Sequence, residues 1–397
     1  MKIFQDNELI FRFMLINISS GIAVGMMNFI LPVYALSLNA TSTEIGLIKG
    51  ISGIGDLLVV LPAGFLVDYF GSRKMYSISC LFGGLIIMSL SFADKPSLLL
   101  LVMVFYGIAR TFRTTSLSAA FFKNMNTIGA RKAGWYKGSM TIGASFIGPM
   151  LGGLAAIAVS FTNYFVFTSA FLLAPIMVMA TRANVNNSSS VMQKNFNFTD
   201  VSNNYKNLIK DRILVRSTII ESMNSAFFMT FSTFITVYVI KDLGLSPGIA
   251  ALLLSLKGGA TILVVFLGGA LLYRSSKGVY LLAFVLTICS LFILGIARNI
   301  TELGIASVII GIGSGMISLI TFTHVGNIDG EKGKIAGIFS FGHGVGAIIG
   351  PTLGGIIGDA YGVQAIFLAF MVPFSALALF TFIDGRKTEP NRKLLPQ

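Results

Sequence analysis

Gly148-Pro149-Met150-Leu151-Gly152-Gly153 recurs 202 residues later as Gly350-Pro351-Thr352-Leu353-Gly354-Gly355. Both copies lie inside long apolar runs, and the offset is about half of the 397-residue chain. Glycines let helix backbones approach closely where the surroundings are lipid, and glycine with proline permits a bend. Two halves that carry the same helix at the same place form a parallel internal repeat.

The composition around the repeat agrees with a membrane setting. Hydrophobic residues make up 54% of the chain, charged residues 11%, and the mean hydropathy is +0.82. An ordinary soluble domain carries about 25% charged residues. A soluble enzyme and a disordered chain are excluded on these figures. The net charge of +13 does not mark a nucleic-acid surface, because the basic residues sit in short clusters between apolar runs. Cys80 and Cys289 lie inside such runs and define no disulfide framework.

A bilayer-crossing helix needs about 20 largely apolar residues. Twelve such spans are expected, at 10–37, 43–69, 75–93, 97–120, 133–157, 162–181, 213–240, 246–273, 278–297, 301–323, 333–359 and 363–383. Thr41 and Glu44 have capping-box spacing before the second. Pro96 and Pro247 fall in the first turns of the fourth and eighth. The first span is too long for the apolar core of a signal peptide. Residues 182–212 hold eight asparagines and four serines and read as a cytoplasmic linker between a bundle at 1–181 and one at 213–397. Val201, Tyr205, Leu208 and Ile209 are at helical spacing within it, as in a short interfacial helix. Of the 29 lysines and arginines, 22 fall on one side of the membrane and three on the other. The positive-inside rule then puts both termini and the linker in the cytoplasm of a multi-pass cell-membrane protein.

With the repeat and the spans in place, the chain resembles the major facilitator superfamily along essentially its whole length. Gly64-Phe65-Leu66-Val67-Asp68-Tyr69-Phe70-Gly71-Ser72-Arg73-Lys74 is similar to the family's loop between helices two and three, with Tyr69 and Ser72 at positions that are usually basic. Gly138, Gly143, Gly148, Pro149, Gly152 and Gly153 are similar to the fifth-helix motif that the family associates with exporters. A degenerate second copy of the loop, Gly269-x-x-x-Tyr273-Arg274-x-Ser276-Lys277, lacks the acid. In the fourth span Met103 stands where arginine is usual, four residues before Gly107, and Arg110 and Arg113 come later. The resemblance implies that Asp68, with Arg73 and Lys74, bonds across to the second half and shuts the cytoplasmic side. Arg113 is the expected partner of that gate, and local pairing of Asp68 with Arg73 or Lys74 is the alternative.

Ionisable groups at mid-membrane are costly and are functional candidates by default. Asp56 lies 13 residues from each expected end of the second span and shares a face with Lys49 and Gly53. Desolvation disfavours the charged form of a carboxylate in such a place, which suits a proton-coupling site. The alternative is a structural pair with Lys49 or Lys257. Glu221 sits among Ser217, Asn224, Ser225 and Ser232 and is a second proton candidate, with pairing to Arg216 as the competing reading. His343 can titrate near neutral pH or pack; His324 is nearer the membrane edge. Lys257 is expected either to meet an anionic substrate group or to neutralise Asp56. Arg110 suits carboxylate or phosphate recognition. Asn28, Asn224 and the stripe Ser314, Ser318 and Thr321 are expected to line a substrate cavity.

No phosphate-binding loop of the G-x-x-x-x-G-K-[ST] type and no catalytic or metal-ligating cluster stands out. The expectation is an all-α membrane protein of twelve transmembrane helices in two six-helix pseudo-symmetric bundles. It needs no cofactor or metal, and its partners are a small molecule, protons and lipid rather than nucleic acid. As the family resemblance implies, it acts as a monomer by alternating access, in proton-coupled efflux of drugs or small metabolites. Proton-coupled import of a sugar, organic acid or other nutrient is the alternative, and a non-transporting receptor is a further one.

Overall fold

In the computed structural model, residues 2–124, 128, 133–180, 211–268, 276–328 and 332–384 are described. The linker helix expected around Tyr205 and the second loop copy up to Ser275 lie outside them. The described chain is helical, and the elements follow the expected spans. They are α1 (Lys2–Ser37), α2 (Ser42–Phe70), α3 (Ser72–Ser89) and α4 (Pro96–Lys123). Next comes α5, which runs through Ala133–Ile142, a π-helical turn Gly143–Ile147 and Gly148–Ala158, followed by α6 (Phe161–Ala180). The second half has α7 (Arg212–Val237), α8 (Pro247–Leu267), α9 (Ser276–Ile296), α10 (Ile300–Gly326), α11 (Lys332–Tyr361) and α12 (Val363–Asp384). Eleven described helices are long and apolar enough to cross a bilayer unaided, and α2 is the twelfth as two pieces bent by 57° between Val60 and Pro62. Proline explains the bend, because Pro62 lacks an N–H and its ring presses on the preceding turn.

The helix starts use the expected chemistry. The Thr41 hydroxyl accepts from the Glu44 N–H, and the Glu44 carboxylate accepts from the Thr41 N–H, closing a capping box on α2. Pro96 and Pro247 occupy the first turns of α4 and α8.

Helices α1–α6 pack mainly on one another, as do α7–α12. The halves repeat each other in detail. The Tyr34 hydroxyl donates to the Ala93 carbonyl at 2.8 Å, and the Tyr238 hydroxyl donates to the Ala297 carbonyl at 2.6 Å. Each bond ties the C-terminal end of the half's first helix to the end of its third. Tyr76 and Tyr280 are likewise buried at matching places in α3 and α9.

The halves meet through α2 with α11, α5 with α8, and α1 with α7. The α2–α11 contacts run from Ser42 beside Gly355 to Leu57 beside Gly344. Beyond that stretch Phe65 and Tyr69 of α2 and Phe341 of α11 are exposed. Because the helices alternate in direction, this uncovered end is the one where α6 ends and α7 begins. The α2–α11 seam is thus packed toward the far end and uncovered toward the linker end, whereas α5 still meets α8 near the linker end, where Gly138 faces Phe266.

Candidate functional site

In the first half, α4 comes close enough to α2 to build a charge pair. A side chain at Gly107 would collide with the Ser52 carbonyl, and one at Gly55 with the Val104 carbonyl. With the backbones that close, Arg110 reaches Asp56 with both Nε, 3.2 Å from Oδ1, and Nη2, on Oδ2. Thr111 adds a third donor, its hydroxyl 2.7 Å from Oδ1. Asp56 is therefore held by α4, and neither Lys49 nor Lys257 is its partner. Spacing along α2 puts Lys49 and Asp56 on one side, but it does not say which neighbouring helix each will meet. Lys49 turns to α1 and donates to the Asn28 amide oxygen at 2.6 Å. Asn28, expected to bond substrate, is engaged by that lysine.

In the second half, α7, α10 and α11 bring the expected polar residues together. The Glu221 carboxylate accepts from Thr321 at 3.1 Å and lies 3.5 Å from His343 Nδ1. Glu221 is 7% exposed, whereas the His343 side chain is 47% exposed on the uncovered stretch of α11. The Ser225 hydroxyl donates to the His343 carbonyl at 2.8 Å and fixes the backbone there. Asn224 donates to Ser318 at 3.0 Å and accepts from Ser314 at 2.9 Å. Arg216, the other expected partner of Glu221, lies over the Tyr280 and Phe380 rings.

Lys257 does not neutralise Asp56. Its Nζ lies 3.3 Å from the centre of the Phe228 ring and has no hydrogen-bond partner. A cation over a ring face is held by the ring's quadrupole.

The expected gate residues do not meet. Asp68 is 73% exposed at its side chain and lies 3.7 Å from Lys123 of its own half. Arg113 is 2% exposed, inside the first bundle, with Nη2 unbonded. The pairing of Arg113 with Asp68 is thus corrected. Lys74 lies over the Phe70 ring and Arg73 is partly buried at the start of α3.

The glycine-rich motif of α5 works as a two-sided seam. Pro149 has no N–H to give the carbonyl four residues back, and the Gly148 N–H bonds Gly143 instead, which widens the turn into a π-helix. The freed Ser145 carbonyl lies against Gly258 of α8, and the Phe146 carbonyl accepts from Ser255 at 3.1 Å. On the opposite side Gly143 and Gly148 touch the α1 backbone at Gly21 and Gly25. Gly152 faces Phe29 of α1, while Gly153 faces Ala251 of α8. In α11, Gly346 and Gly350 lie against the α7 backbone, and Pro351 and Gly355 against α2.

One contact gave no signal in the motifs. The Asp359 carboxylate, near the last turn of α11, accepts from the N–H groups of Ser42 and Thr43 at 2.8 Å each. An acid at a helix C-terminus opposes that helix's own dipole. That misfit is the sequence signal that marks Asp359, and the N-terminus of α2 resolves it.

Twelve helices in two repeated bundles, with charged side chains buried among them, define the architecture of a secondary membrane transporter. The sequence profile of the Major Facilitator Superfamily matches residues 13–328 and 218–397, and the chain belongs to that family. It is 26% identical over 380 residues to an uncharacterised MFS-type transporter of Methanocaldococcus jannaschii, covering 92% of this chain and 93% of the relative. It is 22% identical over 367 residues to the quinolone resistance protein NorA of Staphylococcus aureus, covering 90% and 92%. Among solved structures, the nucleoside transporter NupG superposes with a TM-score of 0.78 at 15% identity, over 96% of this chain and 100% of that one. An inward-facing, unoccupied bacterial homologue of the lysosomal transporter Spinster gives 0.76 at 14%, over 96% and 97%. These two likenesses concern the fold.

Proposed function

We propose that this transporter couples export of a small molecule to proton entry, with Glu221 and His343 as the proton site. The observation that carries the reading is their contact at 3.5 Å, with Glu221 buried and His343 about half exposed. A proton taken by the imidazole meets its counter-charge at once, and no other group has to move. Asp56 is placed differently: two Arg110 nitrogens and the Thr111 hydroxyl already fill it. A proton arriving there displaces a guanidinium, so Asp56 serves as a second, slower site that opens only when α2 and α4 separate.

The cycle needs two closures. At the far end Asp359 holds α2 to α11. At the linker end the loop around Asp68 is the element that closes when the halves rock together. By the lysine and arginine count the linker end is cytoplasmic, with both termini inside the cell membrane. The exporter-type motif of α5 and the resistance proteins among the relatives support outward transport. The working unit is a monomer.

Inside-out vesicles with an imposed proton gradient test the proposal, with a panel of fluorescent organic anions and cations as probes. Accumulation of a dye that collapses with a proton ionophore and is lost in Glu221→Gln is the expected result. Accumulation that ignores the gradient, or that survives in Glu221→Gln, contradicts it.

A further inference from the structure

Among the described residues three basic side chains are buried, Lys49, Arg113 and Lys257, at 6%, 2% and 2% exposure. The two carboxylates of the cleft are already taken, Asp56 by Arg110 and Glu221 by His343 and Thr321. None of the three buried cations has a carboxylate within ion-pair distance. Lys49 rests on a neutral amide, that of Asn28. Lys257 rests on a ring and bonds nothing. Arg113 leaves Nη2 unbonded at a cavity of about 190 Å³ that Asn17, Ser118 and Tyr136 also line. A cation in the membrane interior is costly when nothing opposes it, and such groups mark the paths of charged cargo.

The two lysines occupy comparable places in the two halves. Lys49 sits on α1 through Asn28, Lys257 sits on α7 through Phe228, and α1 packs on α7 across the junction of the halves. Each amine is thus held by the helix of its own half that meets the other half. The neutral polar groups nearby, Asn224, Ser314 and Ser318, are bonded to one another.

We infer that the cargo is an organic anion, a carboxylate, sulfonate or phosphate, whose charged group is taken by Lys257 with Lys49 as the second contact. The inference rests on the transporter reading above and deepens it. Lysine presents three donors on a mobile stem. An anion supplies the acceptor that Lys257 lacks and replaces the Phe228 ring face. Arg110 is not part of this site, because Asp56 occupies its fork.

Thermal unfolding of the purified full chain in detergent tests it. The probes are benzoate, a naphthalenesulfonate and glucose phosphate, set against tetraphenylphosphonium and glucose. At least one anion is expected to raise the unfolding temperature saturably, and neither control is. Lys257→Gln is expected to weaken that binding roughly tenfold or more, as for a lost charge-assisted hydrogen bond, and Lys257→Arg to retain most of it. The wild-type comparison needs no variant to fold, and Lys49→Gln gives an independent arm with a smaller loss. The inference is overturned if no anion stabilises the protein, if tetraphenylphosphonium alone does, or if anion binding is unchanged in both glutamine variants. Stabilisation by phosphatidylglycerol but by none of the soluble anions assigns the charge to lipid headgroups and also overturns it. Gradient-driven flux of a cation through the wild type sinks the anion and leaves the transporter. Anion binding at Lys257 without gradient-driven flux sinks the proton coupling and leaves the anion site.

Discussion

Asp56, Arg110 and Thr111 form a unit whose parts cannot be removed singly at low cost. Asp56→Asn leaves the Arg110 guanidinium in the bundle without its counter-charge. Breaking one side of a buried pair is strongly destabilising, and with Asp56 and Arg110 about a quarter and a fifth exposed the expected loss is about 2 kcal/mol. The double variant Asp56→Asn with Arg110→Gln is expected to recover part of it, because no charge is stranded. A double-mutant cycle on thermal unfolding checks this, and strictly additive losses contradict it. The ionisable residues of the site were legible in the sequence because a charge inside an apolar run stands out. Their partners were not. Lys49 and Asp56 lie seven residues apart on α2, yet one turns to α1 and the other to α4. That choice depends on how closely α4 comes at Gly107, a distance no spacing rule contains.

At the scale of the elements, the α5–α8 contact is set by backbone more than by side chains. A methyl group at Gly258 would run into the Ser145 carbonyl, whereas one at Gly259 would meet only the Phe146 ring at 3.4 Å. Gly258→Ala is expected to cost about 1–3 kcal/mol and most of the transport, and Gly259→Ala neither. Unfolding temperature and vesicle flux compare the two, and equal behaviour contradicts the seam. Asp359 makes the corresponding closure between α11 and α2. Asp359→Asn removes the negative charge from the α2 N-terminus, worth about 0.3–1 kcal/mol. The far end should then open more often, read as a longer distance between spin labels on the outer ends of α2 and α11. An unchanged distance distribution means the carboxylate is no latch. The sequence showed the capping box, the prolines and the repeated glycine motif, because each is a local signal. The π-turn at Gly143–Ile147 was hidden, since it arises from Pro149 together with the α8 backbone that receives the freed carbonyl.

For the whole molecule, twelve spans and two halves were readable from hydropathy and one hexapeptide repeat. The finer repeat was also present in the letters, as Tyr34 with Tyr238, Tyr76 with Tyr280 and Ala93 with Ala297. It is visible only once the bonds show what those tyrosines do, because the residues between them differ. How tightly α2 and α11 pack along their length was not legible at all. A transporter holds at least two arrangements of similar free energy, and the same sequence must fit both. The exposed Asp68 pairs within its own half, with Lys123.

The central claim is that Glu221 and His343 carry the proton that is exchanged for the cargo. It is tested most directly by recording the internal pH of proteoliposomes when an accepted organic anion is added, with the wild type, Glu221→Gln and His343→Gln side by side. The account predicts cargo-triggered proton movement in the wild type, none in Glu221→Gln, and a strongly reduced rate in His343→Gln. Undiminished proton movement in Glu221→Gln would contradict it and place the coupling elsewhere in the cleft.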